Sequence, residues 1–207
     1  GYGSSLIPAV MMIIIFQTLL MVIGMVTGEE YSSDGIRTYA PFGHTWAAAI
    51  RIVAGKAFVY CGLYAIFSFF LLGLLPYFFS IPNIGNGLYI VLLMIPYLIA
   101  TSFLGLAASR YFTDSEAPLL MIAFFSVGLI FLSGVSYPME LMPWYWKAAH
   151  YILPAAPATL AFVQLNSMGA SMADIRPEYI TLWIQVLVYF ILSIWVYQKK
   201  LQKSQLR

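Results

Sequence analysis

The sequence predicts an all-α membrane protein: a bundle of five transmembrane helices (of a natural six), with an outer re-entrant helical hairpin before the last span. Three observations predict it. Hydrophobic residues make up 62% of the chain and charged residues only 9%, far from the balance of a water-soluble domain. Five apolar runs read as helices that cross a bilayer, whose hydrocarbon core takes about 20 residues of helix. A sixth apolar stretch, residues 133–170, is cut by Pro138, Pro143, Pro154 and Pro157 into pieces too short to cross. Proline removes a backbone donor and crowds the preceding turn, so this stretch is expected to dip into one membrane face and return, the alternative being an aromatic-rich loop lying on the outer surface. The re-entrant form requires protein or a wet cavity to satisfy its broken backbone.

The first span covers Leu6 to Thr27, with Pro8 in its opening turn, where a missing donor costs little. The second covers Ala57 to Leu75 and the third Leu88 to Ala108. The fourth, Pro118 to Leu132, follows a start signal: Asp114 and Ser115 as cap candidates and Glu116 in the first turn. The fifth covers Tyr179 to Tyr197. Between the first two lies a polar, charged loop, residues 28–51.

Basic residues set the orientation. With the tail QKKLQKSQLR in the cytoplasm, Arg37, Arg51, Lys56, Arg110, Lys199, Lys200, Lys203 and Arg207 fall inside, and only Lys147 and Arg176 outside. The amino end then lies outside. A further span upstream is the simplest repair, so Gly1 is expected not to be the natural start.

Composition also excludes function classes. A net charge of +2 gives no footprint for nucleic acid, and a lone cysteine, Cys61, allows no disulfide framework. Gly55-Lys56 is not a phosphate-binding loop: Ile50 stands where its upstream glycine belongs, and Ala57 replaces the Ser or Thr. No nucleotide, metal or other cofactor site is expected in this chain. His44 and His150 fall on opposite sides of the membrane, and the middles of the spans carry no carboxylate of the kind that marks proton-coupled carriers. Gln17, Thr101 and Gln185 do sit at membrane depth. They are candidates for a substrate path, against a simpler role in helix packing. Thr101, Gly105 and Ser109 form a row of small residues that permits close helix contact.

The order of a span, then SGVSYPMELMPWYW, LPAAP, a last span and a basic tail resembles the permease subunits of type-2 ABC exporters. The later LPAAPATLAFVQLNSMGA is similar to the multidrug-efflux branch. The resemblance implies one ABC-transporter-type permease membrane domain over residues 1–207, the C-terminal membrane part of a longer inner-membrane protein. It implies an outer gate built on Ser133, Gly134, Pro138, Glu140, Met142, Pro143, Trp144, Pro154 and Pro157. It also implies a cytoplasmic coupling loop that meets the ATPase, carried by Glu29, Glu30, Gly35, Arg37, Pro41, Gly55 and Lys56. Here the family's Gly-Thr pair reads Gly35-Ile36, and no basic residue precedes the acids. The partners implied are a cytosolic ABC ATPase carrying ATP and Mg, a second permease copy or homologue, a periplasmic membrane-fusion adaptor and membrane lipids. The function expected is outward movement of a drug-like or lipid-like substrate. A membrane-embedded lipid-modifying enzyme using Glu140, Lys147 and His150, or a passive channel, are the alternatives.

Overall fold

The computed structural model describes residues 2–32, 45–79, 84–111, 128–137 and 139–204. Among these there is no strand. The elements are α1 (Tyr2–Ser32), α2 (Trp46–Phe69), α3 (Gly87–Ala108), α4 (Trp144–Ile152), α5 (Ala155–Met168) and α6 (Arg176–Ser204). A π-helical turn (Phe70–Leu74) and a last turn (Leu75–Phe78) carry α2 onward. The result is an all-α membrane bundle with four helices, among the described residues, long and apolar enough to cross. The fourth predicted span lies outside the described residues except for helical residues 128–132.

Span ends differ from the sequence reading. α1 begins before Leu6 and runs to Ser32, so Pro8 lies inside the helix and not in its opening turn. α2 starts at Trp46, well ahead of Ala57. The Thr45 hydroxyl caps it, accepting from the Ala48 N–H at 3.3 Å, and its first turns bury Ala48, Ala49, Ile52 and Val53. Both flanks of the loop assigned to residues 28–51 are therefore helical. At the far end of α2, Pro76 has no N–H to offer the carbonyl one turn back, and a π turn closed by Leu75 N–H to Phe70 O gives its ring room.

α3 is the hub, packing against α1, α2, α5 and α6. Its start is capped by Asn86, whose Oδ1 accepts from the Leu88 N–H at 3.0 Å. Tyr97 is fully buried and its hydroxyl donates to the Met12 carbonyl of α1 at 2.7 Å. A Cβ on Gly105 would stand 2.9 Å from Ile23 Cδ1, so α1 and α3 approach closely there and Ile23 would have to shift for any larger residue. Phe103 meets Phe190 of α6 with ring centroids 4.9 Å apart. Hydroxyls at membrane depth are absorbed locally: Thr18, Thr27 and Thr101 each donate to the carbonyl four residues back, since no water competes for them there.

α4 and α5 form the broken element. They have 9 and 14 residues and meet at 87°, too short singly to cross. Pro143 precedes α4 and Pro154 precedes α5, where a missing donor is tolerated. Pro157 breaks nothing: it lies buried in the first turn of α5.

Candidate functional site

The break at Leu153-Pro154 strands the last carbonyls of α4, which in lipid would each cost several kcal/mol, on the order of an unmade hydrogen bond in hydrocarbon. Two side chains of α6 resolve this. Gln185 Nε2 donates to the Tyr151 carbonyl at 2.8 Å, and the Tyr189 hydroxyl donates to the Ile152 carbonyl. Four positions apart on a helix, they share one face. Beside the break, in the same last turn of α4, His150 Nδ1 lies 2.7 Å from the carbonyl of Leu132. A carbonyl only accepts, so Nδ1 carries the proton. His150 is 1% exposed. It thus ties α4 to the end of helical residues 128–132.

The approach to α4 is equally constrained. Ser133 is buried and its hydroxyl donates to Ile130 O at 2.7 Å. Gly134 holds φ +79°, and a Cβ there would meet Met139 Cγ at 3.0 Å. Met142 is buried, whereas Trp144 is 80% exposed. Pro138 and the side chain of Glu140 lie outside the described residues. The turn between α2 and α3 docks on the hairpin as well: Ile84 N–H donates to Asn166 O at 3.1 Å, and Gly85 lies so close that a Cβ would stand 2.7 Å from Leu165 O.

The opposite end is charged. Lys56 of α2 pairs with Glu30 at the end of α1, Nζ to Oε1 2.6 Å, with side chains 13% and 25% exposed. Lys200 of α6 donates to Ser109 Oγ at 2.9 Å and to Ser109 O at 3.1 Å, at the end of α3. The Tyr197 ring has Lys56 Nζ at 5.4 Å and Lys200 Nζ at 5.2 Å from its centroid. The ends of α1, α3 and α6 are therefore joined to α2, about three turns in from its start, by one cluster of charges and an aromatic ring.

The residues proposed for coupling divide accordingly. Glu30 and Lys56 come together. Glu29 is exposed on the last turns of α1, and Gly55 faces open space on α2, where a Cβ would find nothing within 4 Å. Gly35, Arg37 and Pro41 lie outside the described residues. The three substrate-path candidates do not converge on one cavity. The Thr101 hydroxyl is spent on Tyr97 O, Gln185 braces the hairpin, and Gln17 is half-buried on α1. A separate apolar groove of about 600 Å³ opens between α2 and α3, lined by Cys61, Ser68, Leu72, Met94 and Leu98 among others.

Sequence reasoning missed the bracing role of Tyr189 and the meeting of Tyr197, Ser109 and Lys200. Only the spacing of Gln185 and Tyr189, two polar groups one turn apart at membrane depth, carries a signal. Among the described residues no group of His, Cys, Asp or Glu is placed to hold a metal.

A bundle of long apolar helices around one broken, braced hairpin defines an integral membrane protein. A family model described as "ABC-2 family transporter protein" matches residues 1–195, and the chain belongs to that family. It is a transmembrane ABC permease, a class of transport subunit that associates with an ABC ATPase. No curated protein and no solved structure matched it.

Proposed function

We propose that this chain is the permease of an ATP-driven exporter in a bacterial inner membrane, moving an amphipathic, drug-like or lipid-like substrate outward. The observation that carries the reading is the Glu30–Lys56 pair, which fastens both helices flanking residues 33–44 to each other. A push on that loop is then delivered to α1 and α2 together, and through Tyr197 to α6. A cytosolic ATPase, holding ATP and Mg, supplies the push; this chain binds neither. Two copies, or this chain and a homologue, enclose the route. The hairpin α4–α5 closes it on the outer side, and the basic tail lies in the cytoplasm. A periplasmic membrane-fusion adaptor receives the substrate beyond it. Transport of this kind requires two states biased by nucleotide, with the loop as the lever.

The test begins with affinity purification of the full-length protein, in which an ATP-hydrolysing subunit is expected to accompany it. Inverted vesicles carrying the complex should accumulate an amphipathic dye only with ATP. Pro41→Ala or Glu30→Ala should leave hydrolysis running while accumulation stops. Unchanged accumulation in both variants removes the lever from this loop. Dye or ion flux without nucleotide favours a passive channel.

A further inference from the structure

Beyond the Lys56–Glu30 pair, a second set of cations collects where α3 ends against the last turns of α6. Arg110 Cζ lies 5.6 Å and Lys199 Nζ 3.7 Å from the centroid of the Trp195 ring. Arg110 and Lys199 are exposed, and the indole is 40% exposed. Lys200, next along α6, is turned to Ser109. Among the described residues, none of these three basic side chains forms an ion pair with a carboxylate, and Glu30 at this end is engaged by Lys56.

Two like charges are thus held on one ring with no anion among the described residues to offset their repulsion. We infer that the cleft between Arg110, Trp195 and Lys199 is a binding site for the headgroup phosphate of an anionic phospholipid. Charge complementarity selects the occupant. Guanidinium offers a planar fork to phosphate oxygens and ammonium a point charge. Indole rings settle at the boundary between hydrocarbon and headgroups, so the exposed face of Trp195 supports the glycerol and upper acyl chain. The ends of α3 and α6 each oppose an anion with about half a negative charge from their backbone dipoles, which whole charges on Arg110, Lys199 and Lys200 outweigh. A zwitterionic headgroup brings its own cation into the same cleft and gains less.

The experiment reconstitutes the full-length protein into vesicles of equimolar phosphatidylglycerol and phosphatidylcholine, then counts retained lipids by native mass spectrometry after mild extraction. Wild type should retain phosphatidylglycerol in preference to phosphatidylcholine. Arg110→Gln and Lys199→Gln should each lower that preference about fivefold, the worth of one basic residue at an anionic surface. Arg51→Gln, an exposed cation of the same end but away from the ring, should leave it unchanged. Circular dichroism of each variant guards against unfolding. Equal loss in all three variants means diffuse attraction and overturns the site. So does equal retention of both lipids by wild type, or displacement of phosphatidylglycerol by inorganic phosphate at matched ionic strength.

Discussion

The backbone carbonyl of Tyr151 is held by the side-chain amide of Gln185, 34 residues later, at 2.8 Å. With Tyr189 on Ile152, this makes α6 the brace for a hairpin that could not otherwise leave its carbonyls in hydrocarbon. Gln185→Leu keeps the volume and removes the donor. It should cost about 1–3 kcal/mol, the desolvation cost of one orphaned acceptor. Hydrogen exchange should rise in α4 and the start of α5, with α3 unchanged. Uniform loss of protection throughout the bundle, or none, contradicts a local bracing role.

The Glu30–Lys56 pair should behave as a unit. Removing one partner of a fully buried pair costs about 3–5 kcal/mol. These side chains keep some exposure, so Glu30→Gln or Lys56→Met should cost roughly 1–3 kcal/mol each, the lower figure reflecting solvent screening. The double variant should lose clearly less than the sum. Thermal unfolding in nanodiscs across the cycle checks this, and additive losses mean that the two groups act independently.

Two glycines separate backbone need from surface position. Gly134→Ala should destabilise by about 1–2 kcal/mol, the cost of a side chain at positive φ, with Met139 Cγ crowding the new Cβ. Gly55→Ala meets open space and should be neutral or gain up to about 1 kcal/mol from helix propensity. If Gly55→Ala nevertheless slows ATP-dependent transport at full stability, the open face of α2 at that position is a contact surface for the ATPase.

Asp174 caps the turn before α6. Both the N–H and the hydroxyl of Ser171 donate to its Oδ2 at 2.8 Å and hold the carboxyl below the usual carboxylate range. A lowered pKa means that the turn gains stability above the ordinary carboxylate pKa and loses it as pH falls through the lowered value. Ser171→Ala should raise the Asp174 pKa toward the ordinary value, read by carbon NMR of the labelled carboxyl. An unmoved titration would show that the Ser171 hydroxyl contributes nothing and that the backbone N–H alone holds the carboxyl down.

The spans of α1, α2, α3 and α6 are legible in the sequence because lipid demands long apolar helices and little else has that composition. The broken stretch is legible for a related reason: proline spacing limits helix length whatever surrounds it. Helix ends are less so. α2 reaches back to Trp46 because Thr45 caps it and its first turns bury Ala48, Ala49, Ile52 and Val53, and Arg51 and Lys56 ride on a helix that hydropathy alone would stop at the charge. Gln185 reads as a path residue since a polar group at membrane depth has the same sequence signature whether it faces a cavity or caps a neighbour's backbone.

Composition and proline placement by themselves determined that this protein lives in a membrane, crosses it as helices and carries one piece that cannot cross. Only the tertiary structure decided which polar atoms answer the stranded carbonyls of that piece, and that Lys56 and Lys200 share the ring of Tyr197. The reason is range: hydrophobic transfer is summed locally along a helix, whereas a hydrogen bond or ion pair depends on which helix faces arrive within a few ångströms of each other.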